Sequence, residues 1–438
     1  MRGLITLFVL MCASHALATP GSVSLERATL RQLGNLSPGQ SLSVAAFPAG
    51  PGLVSAYEFR RIEIYAPGAR VFVIDGSGQH EIARSPRVHL LGYSRDGLSR
   101  IALSFDPDLS TPPQATGSGP AGGFVVQAAR KGDAWQLEAL SPEAALPRGV
   151  KPETAGLDDA IALASTPAAA FDHLLPDTPG PQGSLRYARI AVDTDVSFMS
   201  ERFSDNTAQA TSWIADLFTQ LNIGYENDLN VQLQVGDTFL RTTTDPYANT
   251  TFPADQATLV EFGNYWQANY AAINRDFAML LSGNSTSGNS AAGIAWLDVY
   301  CLTSGNGGSY SINQVFTNPG IGVLLSATLV AHELGHNFGA AHTHCTNVST
   351  GNYPTGSNTI DLCSNVGSGC YTGPTSCPVS GPGAPRGSVM SYCNQNGCNQ
   401  NVLQFHPTQI TRLLARIAAN TPSCLSEGND LIFANGFE

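Results

Sequence analysis

The stretch His332-Glu333-Leu334-Gly335-His336-Asn337-Phe338-Gly339-Ala340-Ala341-His342 constrains this chain more than any other feature. On an α-helix, residues four apart share one face, so His332 and His336 can hold one metal ion together. Glu333, beside the first of them, can reach a water on that ion. Gly339 permits the sharp turn that ends a helix, and His342, three residues on, can swing back as a third ligand. Three protein ligands leave a fourth position open, the pattern of a catalytic rather than a structural zinc site, with ring nitrogens about 2.0–2.1 Å from the ion. Zinc brings the pKa of its water to about 7, and Glu333 can take the proton. The motif closes an apolar helix expected over 324–338. Met390, within Ser388-Val389-Met390-Ser391-Tyr392, follows at a distance suited to a Met-turn.

The N-terminus reads as a secretory leader. Arg2 precedes an apolar run from Leu4 to Ala13, and Ala16-Leu17-Ala18 supplies the small residues of a cleavage site after Ala18. The run is too short to span a bilayer, and no other stretch approaches membrane length, so no membrane insertion is expected. Of nine cysteines, Cys12 lies in the leader; the other eight all lie beyond residue 300. An even number in an exported chain implies a disulfide framework, and no CxxC pair marks a cysteine zinc site. The sequence leaves the pairing of Cys345, Cys363, Cys370, Cys377, Cys393 and Cys398 open. A net charge of −12 argues against nucleic acid or anionic lipid as the main partner.

A chain of 438 residues with 42% hydrophobic content has room for two domains. Residues 19–140 read as a β-rich domain: Arg61 to Tyr65 alternates, Val71 to Ile74 is an apolar run ending at Asp75-Gly76, and Arg100 to Phe105, Phe124 to Val126 and Trp135 to Leu140 look similar. Residues 141–184, rich in Pro and Ala, read as an exposed linker. A different pattern follows. Tyr187 to Val192 reads as a strand. Ala210, Trp213, Ile214, Leu217, Phe218 and Leu221 recur at helical spacing, with Gly224 after them. Val231 to Val235 reads as a half-buried strand, Tyr265 to Leu281 as a helix, Gly293 to Leu302 as a strand. Pro407 opens a last helix with Ile410, Leu413, Leu414 and Ile417. Strands alternating with long helices predict an α/β (α+β) catalytic domain over 185–424, with a short tail over 425–438.

With these residues in view, the chain resembles the metzincin zinc metallopeptidases, and among them the reprolysin/adamalysin-like branch. The resemblance covers roughly 186–424 and rests on Ala331 to Gly339, on Gly293-Ile294-Ala295-Trp296-Leu297-Asp298-Val299-Tyr300-Cys301, and on Cys424 after the last helix. It implies a twisted, mainly parallel five-stranded sheet with a zinc helix and Met-turn, and one catalytic Zn2+ on His332, His336 and His342. It implies endopeptidase action on protein or peptide substrates by a water that Glu333 activates. Substrate would lie along an edge strand formed by Gly293, Ile294, Ala295 and Trp296. It further implies a Cys301–Cys424 disulfide and a secreted zymogen in which residues 19 to about 185 form a β-rich propeptide, with a cut expected near Gly183 to Arg186.

Four departures accompany the match. Thr343 follows the third histidine where the branch carries Asp. No cysteine lies between residues 19 and 300, so a thiolate latch cannot operate, leaving steric cover or a ligand such as Asp172 or His173. Asp276 aligns with one ligand of the branch's Ca2+ site, but Arg189 stands where an acidic residue is usual. Tyr392, two residues past Met390, is placed as in astacins and serralysins, where such a tyrosine approaches zinc or steadies the oxyanion; the alternative is a buried aromatic under the cleft. His344 is one residue too close to His342 to be a co-ligand and is expected at the surface. The competing function is a catalytically silent binding or adhesion protein on the same scaffold. Silent relatives lose the base or a ligand, whereas Glu333 and all three histidines are present here.

Overall fold

The computed structural model describes residues 21–147, 154–155, 184–247, 254–284, 290–291, 293–316, 322–353, 358–380 and 384–428. The expected leader 1–18, most of the 141–184 linker with Asp172 and His173, and most of the 425–438 tail lie outside these residues.

The alternating segments of the N-terminal part form an eight-stranded antiparallel sheet. Its strands are β1 (Val23–Glu26), β2 (Ser41–Gly50), β3 (Leu53–Arg61), β6 (Val88–Ser94), β7 (Arg100–Phe105), β8 (Gln114–Gly119), β9 (Gly122–Lys131) and β10 (Ala134–Leu140), in the spatial order β1-β10-β9-β8-β7-β6-β3-β2. Helix α1 (Arg27–Gly34) lays Leu30 and Leu33 on this sheet, among Phe47, Phe59, Leu103 and Phe124. A short helix, α2 (Pro142–Ala145), follows, capped by the Ser141 hydroxyl, which accepts from the Ala144 amide at 3.3 Å.

The remaining strands of this part, β4 (Val71–Asp75) and β5 (Gly78–Ile82), belong to the other sheet. That sheet holds β12 (Arg186–Thr194), β13 (Val231–Arg241), β14 (Phe277–Ser282), β16 (Gly293–Ala295) and β17 (Tyr310–Gln314). Its spatial order is β16-β17-β14-β12-β13-β4-β5, and β18 (Ser426–Glu427) pairs antiparallel with β12. β12 runs parallel to β13 and β14, β14 to β17, and β13 to β4; β16 and β5 are antiparallel edges. Parallel neighbours need helical crossovers. These are α3 (Thr207–Leu229) between β12 and β13, and α4 (Gln256–Asn269) between β13 and β14. Two-residue strands β11 (Thr154–Ala155) and β15 (Ser290–Ala291) pair with each other. Helices α5 (Gly322–Asn337) and α6 (Pro407–Ala419) complete the chain.

Several expectations need correction. The chain does not divide at residue 140: after β3 it crosses at Ile62–Tyr65 to the second sheet, where Tyr65 bridges Val235 and the β4–β5 hairpin extends the ladder beyond β13. The five strands of the 185–424 part are thus joined by two from the segment 19–140. Of the helix expected over Tyr265 to Leu281 only Tyr265 to Asn269 is helical, as the end of α4, and Phe277–Ser282 is strand β14. β13 is buried almost throughout rather than on one face: α3 covers one side, and on the other Gln232 and Gln234 donate to the Glu63 carbonyl while Phe239 packs on α4. Gly224 does not end α3; the helix runs to Leu229 and stops at Asn230, which takes the left-handed conformation at φ 54°. The strand expected over 293–302 ends at Ala295.

α3 lies between the two sheets. Ile214, Leu217, Phe218, Leu221 and Tyr225 face the parallel sheet and α5. Polar residues on its other side meet the N-terminal sheet. Asp216 pairs with Arg87 at 2.9 Å, Asp228 with Arg100 at 3.1 Å, and Glu226 with Arg60. Thr219 hydrogen-bonds His89 at 2.9 Å, and Thr116 donates to Gln220. Burial of these groups is tolerated because each finds a partner.

Candidate functional site

α5 carries the motif. Its apolar residues are buried on several sides, and the helix backs on α3 and the edge of the parallel sheet, so its last turn is fixed in place. His332, Glu333 and His336 are all buried. The Nε2 atoms of His332 and His336 lie 3.0 Å apart, and that of His342 is 3.2 Å from His336 Nε2. His332 Nδ1–H donates to the Val389 carbonyl at 2.8 Å, and His336 Nδ1–H to that of Ala340 at 2.7 Å. A carbonyl can only accept, so these bonds commit the protons to Nδ1 and leave Nε2 as bare lone pairs. Lone pairs converging at 3 Å repel each other unless a cation sits among them. The donor set, three imidazoles, suits zinc.

The turn after α5 delivers His342. Gly339 adopts φ 102°, and its amide donates to the His336 carbonyl at 2.8 Å. α6 holds that turn from outside: Gln409 Nε2 donates to the Ala341 carbonyl at 2.6 Å, and Arg412 Nε to that of Gly339 at 3.1 Å. Arg416 reaches Asp298 at 2.7 Å, and the Asp298 amide donates to the His336 carbonyl. His406 is the N-cap of α6, accepting from the Thr408 amide at 3.3 Å.

Glu333 is packed against β16. A Cβ placed on Gly293 would lie 2.3 Å from Glu333 Oε1, so only glycine admits the carboxylate there. Ile294, Ala295 and Trp296 continue this edge, and Asn337 Nδ2 ties the Trp296 carbonyl to α5 at 2.8 Å. β16 stands at the end of the sheet, paired with β17 alone among the described strands.

Met390 is fully buried beneath the motif, and its carbonyl accepts from the Thr343 amide at 3.0 Å. Thr343, in the position of the branch's Asp, donates to Ser391 Oγ at 3.1 Å, and Ser391 in turn to Asp361 at 2.7 Å. A loop carboxylate thus reaches the place by way of two hydroxyls. The Tyr392 ring centroid is 4.4 Å from that of His342 and 6.0 Å from that of His332. His344, expected at the surface, is buried; its Nε2–H donates to the Val366 carbonyl at 2.9 Å. His332 borders a narrow pocket walled by Phe316, Leu325, Leu329 and Val389, and no described residue of 21–147 lines it.

Disulfides join Cys301–Cys424, Cys345–Cys370, Cys363–Cys393 and Cys377–Cys398. The other His/Cys/Asp clusters all include cysteines spent in these bonds, which leaves the three histidines as the one metal-competent group among the described residues. Asp276, the half-matched calcium ligand, accepts from the Arg189 amide at 2.7 Å. Burial pushes its carboxyl up to about 7 despite that bond and the Arg189 charge. A carboxyl whose ionised form is disfavoured by burial, with a guanidinium charge nearby, is a poor cation ligand.

Sequence reasoning missed Gln409, Arg412, Asn337 and Asp361. Asn337 sits inside the motif and could have been noticed; the others come from distant segments without any local signal.

A helix with three converging imidazoles, set beneath the edge of a mixed sheet, defines a metallopeptidase. The sequence model of the reprolysin-type metallo-peptidase family M12 matches residues 184–404, and the chain belongs to that family of zinc peptidases, whose substrates are proteins or peptides. Among solved structures, the chain is similar to metalloproteinase-II from Bacteroides fragilis at 12% identity, over 73% of this chain and 86% of that one, with a TM-score of 0.38.

Proposed function

We propose that the chain is a secreted zinc endopeptidase in which Glu333 is the general base. The observation that carries this reading is the convergence of three imidazole Nε2 atoms, two of them on rings whose Nδ1 protons are already committed to carbonyls, with Glu333 one residue from the first ligand. His332, His336 and His342 would hold the ion. Zinc, when bound, supplies a Lewis acid that acidifies water and polarises the scissile carbonyl.

The protein's own groups do the rest. Gly293 to Trp296 offers an edge to which an extended peptide adds as a strand, which would aim the scissile bond at the site. The Glu333 carboxylate takes the proton of the attacking water and carries it to the leaving nitrogen. Tyr392, whose ring packs on those of His342 and His332, would donate to the oxygen that gains charge. Met390 and the Thr343–Ser391–Asp361 chain serve as the Met-turn floor. The paired cysteines and the leader pattern read from Arg2 to Ala18 support export. The Asp276 environment favours a site with zinc and no companion Ca2+.

The silent-scaffold reading would need a missing ligand or base, and none is missing. The test is Glu333→Gln. It should keep zinc and fold while losing on the order of 10²–10⁴-fold in peptide hydrolysis. Near-parental turnover would exclude the base role, and a parent protein that binds no zinc would exclude the site.

A further inference from the structure

We propose that residues 21–147 are not a removable propeptide but the permanent second half of the working enzyme, staying bound after any cut in the segment that follows them. The inference concerns assembly, and its main readout is mass, so it can fail while the peptidase reading stands.

Four independent observations carry it. First, the parallel sheet is continuous across the two parts. β4 pairs with β13 in register from Thr238↔Val71 to Arg241↔Ile74, the Val235 amide donates to the Ile64 carbonyl at 2.8 Å, and Phe72 stacks on Phe239 at 5.4 Å. The two parts are thus joined by main-chain ladder bonds inside one sheet, and not by side-chain contacts alone.

Second, the apolar core is shared. Ile62, Ile64, Val71, Val73, Leu91 and Ala102 belong to the same buried cluster as α3, α5 and β12 to β14. Their departure would uncover the flank of β13, leaving an eleven-residue edge strand open to pairing with other chains. Third, the polar side of α3 finds its partners in the N-terminal sheet. Arg87–Asp216 is buried at both ends, Asp228 is buried as well, and Glu226 nearly so.

Fourth, the N-terminal part braces the site from behind. Val125 of β9 and Leu146 after α2 pack on Leu324, Leu325, Leu329 and Phe316. Leu325, Leu329 and Phe316 are also wall residues of the pocket beside His332. An inhibitory segment would be expected to cover that pocket. The described residues of 21–147 instead lie against α3, the flank of β13 and the outer side of that wall.

The experiment uses the full chain with a recognition site for a sequence-specific protease placed within 156–183. After complete cutting, denaturing electrophoresis should show two polypeptides. Native sizing at about 0.1 μM, a concentration that separates partners weaker than micromolar, should show one particle of undivided mass that still holds zinc. Residues 184–438 expressed alone should fail to fold and should recover zinc binding only when refolded with residues 21–147. Separation of the halves under native conditions would overturn the proposal. So would a folded, zinc-binding 184–438 chain on its own, or a rise in peptide hydrolysis when a second protease digests 21–147 out of the cut particle.

Discussion

Gly293→Ala tests the placement of the general base without touching it. Gly293 lies in β16 with ordinary backbone geometry, so the substitution strains no dihedral, and the whole effect is the clash of one methyl group. That methyl would lie 2.3 Å from Glu333 Oε1 and 2.6 Å from Cδ and Cγ. Ordinary carbon contacts begin near 3.5 Å, so the carboxylate or the strand must yield by about 1 Å. α5 is anchored through His332 and His336, and β16 through the Asn337 bond to Trp296, so the flexible carboxylate moves. A displacement of this size costs about 10²-fold in rate, or about 2.7 kcal/mol of barrier. The overpacked core loses about 1–3 kcal/mol of stability.

The assay is kcat and KM on a peptide substrate, with zinc content and urea unfolding alongside. kcat should fall with zinc retained, since no histidine is displaced. A second measurement separates crowding from general damage. In a Glu333→Ala background the carboxylate is gone, and Gly293→Ala should cost almost no further stability, a coupling of about 1–3 kcal/mol in the double-mutant cycle. A kcat within about twofold of the parent, which is under 0.5 kcal/mol, would refute the reasoning, as would additive stability losses.

Other substitutions address the scaffold and the cleft. Cys301 and Cys424 close a loop of 123 residues; replacing both with Ser should cost about 5 kcal/mol in the chain-entropy account, and a loss below about 1 kcal/mol by urea unfolding would contradict it. Burial raises the Asp276 carboxyl to about 7 in the folded chain, against about 3.9 unfolded. Its contribution is therefore present below pH 4 and is lost as pH rises through 7. Asp276→Asn should accordingly gain stability relative to the parent between pH 5 and pH 8, by up to about 4 kcal/mol; a difference independent of pH would count against it. Tyr392→Phe should lower kcat tenfold or more, about 1.4 kcal/mol, with KM and zinc content little changed, if the hydroxyl meets the developing charge; unchanged kcat would reduce Tyr392 to a packing residue.

The site was more legible than the fold around it. Zinc ligation needs particular side chains at particular spacings, so His332, His336, His342 and Gly339 are written out in one stretch. α6 was also readable, because Pro407 starts it and one face only is apolar. β14 was not: Phe277-Ala278-Met279-Leu280-Leu281 is composed largely of good helix formers. It is a strand because both faces are buried, and tertiary burial overrides propensity. Gly224 misled as a helix stop because α3 is enclosed by two sheets and continues to Asn230. The run Val71 to Ile74 was correctly seen as a strand, yet nothing in it names β13 as its neighbour. Gln409 and Arg412 were equally silent, since what they do depends on a turn that lies far away in sequence.

The pairing of β4 with β13 also governs the order in which the molecule can be made. Arg70 and Asp237, which flank that ladder and hydrogen-bond at 2.9 Å, are 167 residues apart in the chain. During synthesis the β4–β5 hairpin emerges long before its neighbour, while the meander from β6 to β10 closes on local contacts alone. The hairpin must therefore wait, with its β4 flank bare, until Arg241 has been made and the α3 crossover has formed. Such non-local closure is slow and exposes unpaired strand during the delay. β5 carries exposed Gln79, His80 and Glu81, polar cover on one side of a strand whose other side stays unsheltered. Refolding from denaturant should then be limited by this late docking step, and a permuted chain that places residues 62–82 next to β13 should fold markedly faster.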